Sequence, residues 1–139
     1  MTRSSGILLP VSALPGPCGI GDLGTAAREF IDFLAAAGQR YWQILPLNPP
    51  DSAHSPYLSA STFAGSTDLL SPEPFMARGA LTADEVRSVD WGGDPMRVDY
   101  GRVHAGKTAL WAAAFAREQA AVTPALRAAL AAEPWLMDY

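Results

Sequence analysis

Hydrophobic and polar positions divide the chain into two halves with different rhythms. The first half reads strand, helix, strand. "GILLPVS" is a short apolar run stopped by Pro10, which suits a buried strand. "ALPGPCGIG", dense in glycine and proline, must be loop. Leu23, Ala26, Ala27, Phe30, Leu34 and Ala37 then recur at three- and four-residue spacing, one apolar stripe of a helix spanning roughly Leu23 to Ala37. Asp22 or Thr25 can cap its first turn with a side-chain oxygen. Gly38 sits where a left-handed C-terminal cap belongs. "RYWQILPL" follows almost at once and is apolar on both faces, as in a strand covered on both sides. The expected strands are Ile7–Leu9 and Trp42–Leu45. Joined through a helix, they should pair in parallel through a right-handed crossover.

The second half is broken more often. "LLSPEPFMARGALTADEVRSVDWGGDP" allows only short helices, around Pro72–Arg78 and Thr82–Ser88. A longer helical pattern starts near Asp99, with Val103, Leu110 and Ala114 on one face and Trp111 and Phe115 beside them. "TPALRAALAAE" reads as a further helix, with Thr123 as its cap and Pro124 at its first position. The alanine-rich stretches are ordinary helix formers, and no internal repeat is present. The chain ends on "PWLMDY". Exposed termini are usually polar, so an end on Trp135, Leu136, Met137 and Tyr139 reads as a cut within an element.

Composition narrows the class. With 139 residues, 49% hydrophobic and 17% charged, this is one modest globular domain. A net charge of −4 argues against a nucleic-acid partner, which needs a basic surface. No apolar run approaches the ~20 residues of a membrane span. Pro10 and Pro15 break the apolar start, and no clean cleavage site follows, which argues against a signal peptide. The single cysteine, Cys18, excludes an internal disulfide and suits the cytoplasm. It reads as an unreactive loop thiol.

Candidate chemistry is sparse. His54 and His104 belong to no ligand-spaced set, so no metal is expected. His54 reads as a loop residue and His104 as a helix-surface residue. Gly19, Gly21 and Gly24 have dinucleotide-fingerprint spacing. The loop from the strand is too long, however, and Asp22 would place negative charge beside a phosphate. Nothing resembles a nucleophile elbow. A glycosyl-transfer pair needs two carboxylates at strand ends, about 5–5.5 Å apart in retaining enzymes. The strands end in "LPVS" and "LPLN", without a carboxylate. Asp22, Asp51, Asp68 and Glu73 read as solvated turn residues or caps.

The loop "HSPYLSASTFAG" carries Tyr57 just after Pro56, beyond the second strand. Proline stiffens it. A tyrosine ring held there can stack on the apolar face of a sugar and offer its hydroxyl, with Ser55 adding a hydrogen bond. Alternatively, Tyr57 and Phe63 pin the loop to the body.

The ordered set "GIGDLG", "AGQRYWQILPL" and "SPY" resembles the start of the 4-alpha-glucanotransferase family, also called amylomaltase or disproportionating enzyme. "VDYGRVHAGKTAL" and "WLMDY" fit later, weaker segments. The sequence departs from the family pattern at Ser66-Thr67, where Asn-Pro is usual, and at Leu58, where a polar residue is common. The resemblance implies an α/β fold, the N-terminal portion of a (β/α)8 TIM barrel. Residues 1–70 would give its first two strands and first helix, and residues 71–139 a helical inserted subdomain. It implies transfer of α-1,4-glucan segments between maltooligosaccharides, with retention and without a cofactor. Ser55 and Tyr57 match family positions lining the glucan cleft. The catalytic aspartate and glutamate fall on later strands, so no catalytic residue is expected here and the partners are the glucan and the remainder of the barrel. The alternatives are a non-catalytic glucan-binding piece and an unrelated dinucleotide-binding domain. On the barrel reading the two strands keep open edges and their apolar residues stay unusually exposed. The isolated chain is then expected to be marginal, aggregating or partly molten.

Overall fold

Strands β1 (Gly6–Leu8) and β2 (Tyr41–Gln43) pair in parallel in a computed structural model that describes residues 3–137. Gly6 faces Tyr41, Ile7 faces Trp42 and Leu8 faces Gln43. Gly6 is required for this approach, because a Cβ there would lie 2.5 Å from the Tyr41 carbonyl oxygen. Both strands begin one residue before the expected positions. The ladder closes where Leu9 donates to the Gln43 carbonyl at 3.0 Å, and Pro10 next offers no N–H to continue it.

The crossover helix α1 spans Thr25–Ala36. Its start differs from the expected cap. Gly24 is the N-cap residue, and no side chain caps from that position. Asp22 Oδ1 instead accepts from the Gly24 amide at 3.0 Å, while Glu73 Oε2 accepts from the Thr25 amide at 2.8 Å and from its hydroxyl at 2.7 Å. A carboxylate 48 residues away therefore serves the helix start, where anions are favoured. At the other end Gly38 has φ +70°, as its position demanded. Ala27 and Leu34 of the apolar stripe are buried, Phe30 meets the Trp42 ring edge-on at 5.1 Å, and Leu23 stays exposed. Val11, Leu14 and Ala27 form this half's core, with Leu9, Phe30, Trp42, Leu47 and Leu69 against it. The other sides are uncovered: Leu8 is 56% exposed, Tyr41 63%, and Phe33 on the outer face of α1 63%.

Helices α2 (Glu73–Ala77) and α3 (Ala83–Ser88) are the two expected short ones. Helix α4 (Tyr100–Ala132) corrects the sequence reading, because it runs through Pro124 without a break. Thr123 does not cap a new helix; its hydroxyl donates to the Gln119 carbonyl at 2.6 Å. Proline leaves the carbonyl four residues back without its amide, and Ala120 is exposed, so water can serve it. A second core joins Cys18, Ala80, Leu81, Val86, Leu110 and Ala114, with Trp91 and Trp111 against it. Burial pushes the Cys18 thiol up to about 11, consistent with an unreactive side chain.

Thr82 and Glu85 form a reciprocal capping box at the start of α3, and Arg117 of α4 grips the same carboxylate. The Arg117 hydrogen bond, followed by those from Thr82, holds the Glu85 carboxyl down to about 2 from an ordinary 4.5. A depressed folded value contributes stability above the unfolded value, and that stability is lost as pH falls from about 4.5 to about 2. In an acid titration followed by the emission of Trp91, which donates to the Val86 carbonyl, Glu85→Gln should flatten the stability slope in that window. A variant with the wild-type slope would remove Glu85 from the account.

Candidate functional site

The carboxyl ends of β1 and β2 open into a cavity of about 250 Å³. Pro10–Ser12 follow β1 and Leu45–Asn48 follow β2, so each strand contributes a wall. In parallel α/β sheets this is the side on which ligands bind. Two hydrogen bonds tie the far wall to the strand end. The Ser66 amide donates to the Leu47 carbonyl at 2.7 Å, and the Asn48 amide group donates to the Ala64 carbonyl at 3.0 Å. Ser66, one of the family departures, also caps the 3-10 turn Thr67–Leu69 by accepting from the Asp68 amide.

The loop bearing Ser55 and Tyr57 is built around Asp51. Its Oδ1 accepts from the Ala53 and Ser55 amides, each at 3.1 Å, and its own amide donates to the Leu58 carbonyl at 2.9 Å. His54 adopts φ +58° to make the turn, and its ring stacks on Tyr100 at 4.3 Å. His54, Pro56 and Tyr100 all line the cavity. Ser55 and Tyr57 do not line it. They meet each other, with the Tyr57 amide donating to Ser55 Oγ at 3.4 Å, and the Tyr57 side chain is 72% exposed. Phe63, itself 71% exposed, has its ring 5.6 Å from that of Trp135.

Each carboxylate considered from sequence has a place. Asp51 and Glu73 are loop and helix caps, as read. Asp22 is not solvated: it is buried and receives Lys107 Nζ at 3.2 Å. Asp68 lines the cavity and pairs with His104, which stands exposed on α4 as read. Lys107 was not singled out by sequence reasoning, yet its signal was there. It lies four residues after Val103 and three before Leu110, on the apolar stripe itself. A lysine in that position must find a partner.

Among the described residues no cluster of three or more histidine, cysteine or acidic side chains could hold a metal. The glycine-rich loop offers no phosphate cradle either. The Gly24 and Thr25 amides at the start of α1 already bond Asp22 and Glu73, and both acceptors carry negative charge. Among the described residues no helix is long and apolar enough to cross a membrane.

Comparison with known proteins bears on the same region. The family described as 4-alpha-glucanotransferase matches residues 9–139. The 4-alpha-glucanotransferase of Thermus thermophilus is 42% identical over 144 aligned positions, covering 100% of this chain and 28% of the relative. That of Streptococcus pneumoniae serotype 4 is 44% identical over 102 residues, 73% of this chain and 20% of the relative. The structure of the amylomaltase from Streptococcus agalactiae in complex with acarbose superposes with a TM-score of 0.89 at 36% identity, covering 99% of this chain and 28% of that one. The chain thus spans between a fifth and somewhat over a quarter of the length of these relatives.

Proposed function

This chain belongs to the 4-alpha-glucanotransferase family, and from that premise we propose that it forms the first part of an enzyme moving α-1,4-glucan segments between maltooligosaccharides. On this reading residues 1–70 are the opening βαβ part of a (β/α)8 barrel and residues 71–139 a helical insertion against it. The catalytic carboxylate pair comes from later strands, and the reaction proceeds with retention and without a cofactor in the cytoplasm. The observation that carries the reading is the cavity at the carboxyl ends of both strands, rimmed by the loop of Tyr57. The solved relative in complex with acarbose supports an oligosaccharide as its occupant.

Tyr57 then serves as a stacking platform at the rim. Its exposed ring is free to meet a pyranose face, and the Ser55 hydroxyl beside it can donate to a sugar oxygen. In a complete transferase carrying this segment, Tyr57→Ala should raise KM for maltotriose roughly two- to tenfold, the equivalent of about 0.5–1.5 kcal/mol of lost stacking. Tyr57→Phe should keep most of the wild-type KM. Unchanged kinetics with a lowered melting temperature would make Tyr57 a loop pin.

The alternative, a piece that binds glucan without transferring it, has one observation in its favour. Asp22, Asp51 and Glu73 are each engaged in holding the fold. Product analysis separates the two readings.

A further inference from the structure

We propose that Asp68 is a sugar-hydroxyl acceptor in the cavity wall and that His104 positions it. The proposal deepens the glucan reading and takes the class of ligand from it. The Asp68 side chain is only 13% exposed and lines the cavity, whose wall carries apolar residues such as Leu45 and Leu47 and polar ones such as Ser12 and Asn48. Among the described residues its carboxylate receives one donor, His104 Nδ1, at 3.1 Å from one oxygen and 3.3 Å from the other. An ionised carboxylate only accepts, so Nδ1 carries the proton in this contact. Two carboxylate oxygens offer about four acceptor sites, and one N–H leaves most of them unfilled. A carboxylate with so little exposure to solvent favours further donors. Glucan hydroxyls are neutral donors of suitable size, whereas a phosphate would meet like charge.

The position of Asp68 is fixed from behind. His104, Lys107 and Trp111 occur at i, i+3 and i+7 on α4, so they share one helix face. Lys107 Nζ donates to the Leu70 carbonyl at 2.6 Å, and Trp111 Nε1 donates to the Thr67 carbonyl at 3.2 Å. Together with the Asp68–His104 pair, these bonds clamp the segment 67–70 to α4. The acceptor is therefore held in place before any ligand arrives.

The test is a calorimetric titration with maltoheptaose, on a complete transferase carrying this segment, run beside a maltotriose product assay. Asp68→Ala should raise Kd roughly tenfold or more, as for loss of a hydrogen bond to a charged group. Asp68→Asn, which keeps one carbonyl acceptor and the side-chain shape, should fall between. His104→Ala should raise Kd by a smaller factor, and His104→Gln, which retains an N–H, should recover part of that loss. An unchanged Kd in both Asp68 variants overturns the proposal, as does a wild type that binds no maltoheptaose. Equal losses in His104→Ala and His104→Gln overturn the positioning role. A wild type that binds but makes no products refutes the transferase reading instead, and the Asp68 comparison still stands or falls on Kd.

Discussion

Lys107→Met should lower the stability of the folded chain by about 3–5 kcal/mol, the cost of leaving one partner of a buried ion pair uncompensated. Lys107 is fully buried and Asp22 only 9% exposed, so water cannot take over. The loss is of the same order as the whole stability of a small domain. In a complete transferase carrying this segment, urea titration followed by near-ultraviolet dichroism should show the folded signal vanish at much lower urea. The double variant Asp22→Asn, Lys107→Met should recover a large part. The asparagine oxygen still accepts from the Gly24 amide, and no lone charge remains buried. The remaining deficit should reflect the Leu70 carbonyl, which loses its lysine donor and costs about 1–3 kcal/mol if left unmet. Strictly additive single losses would show that Asp22 and Lys107 do not act as a pair.

The 139 residues expressed alone should yield no detectable transfer products from maltotriose. Retaining transfer needs two carboxylates about 5–5.5 Å apart across the scissile bond. Here Asp22 faces Lys107, Asp51 holds its own loop, Glu73 serves α1, and Asp68 pairs with His104. The exposed apolar face compounds this. Ile7, Leu8, Tyr41 and Ile44 around the strands and Ile31 and Phe33 on α1 are all open to water. Such a surface favours association, and the isolated chain is expected to be marginal or to aggregate. Chromatography with light scattering should find oligomers or a loosely folded monomer. Longer and shorter oligomers appearing in a protein-dependent manner would sink the expectation of inactivity.

What the sequence revealed and what it hid divide by distance along the chain. Strands, α1 and the short helices were readable because their signals are local: apolar spacing, a glycine at the helix end, and the prolines and glycines that break the second half into short pieces. Pro124 misled for a local reason as well. A proline after a threonine reads as the first position of a new helix, whereas α4 runs on through it. The cap on α1 comes from Glu73, 48 residues away, and the Asp68 contact from His104, 36 residues away, and no periodicity encodes either. Lys107 lies between these cases. Its place on an apolar stripe announced burial, but only the fold names Asp22 and Leu70 as its partners. The loop of Ser55 and Tyr57 was visible as a stiff aromatic turn, while the neighbouring cavity needed both strand ends and the start of α4 brought together.

The central claim is that this segment works as the opening part of a glucan-transferring barrel. Its most direct test is a chimera in which these residues replace the corresponding segment of the Thermus thermophilus relative, which aligns along the full chain at 42% identity. Given maltotriose, the purified chimera should produce a ladder of longer and shorter maltooligosaccharides. A chimera that melts cooperatively yet leaves maltotriose unchanged would contradict the claim.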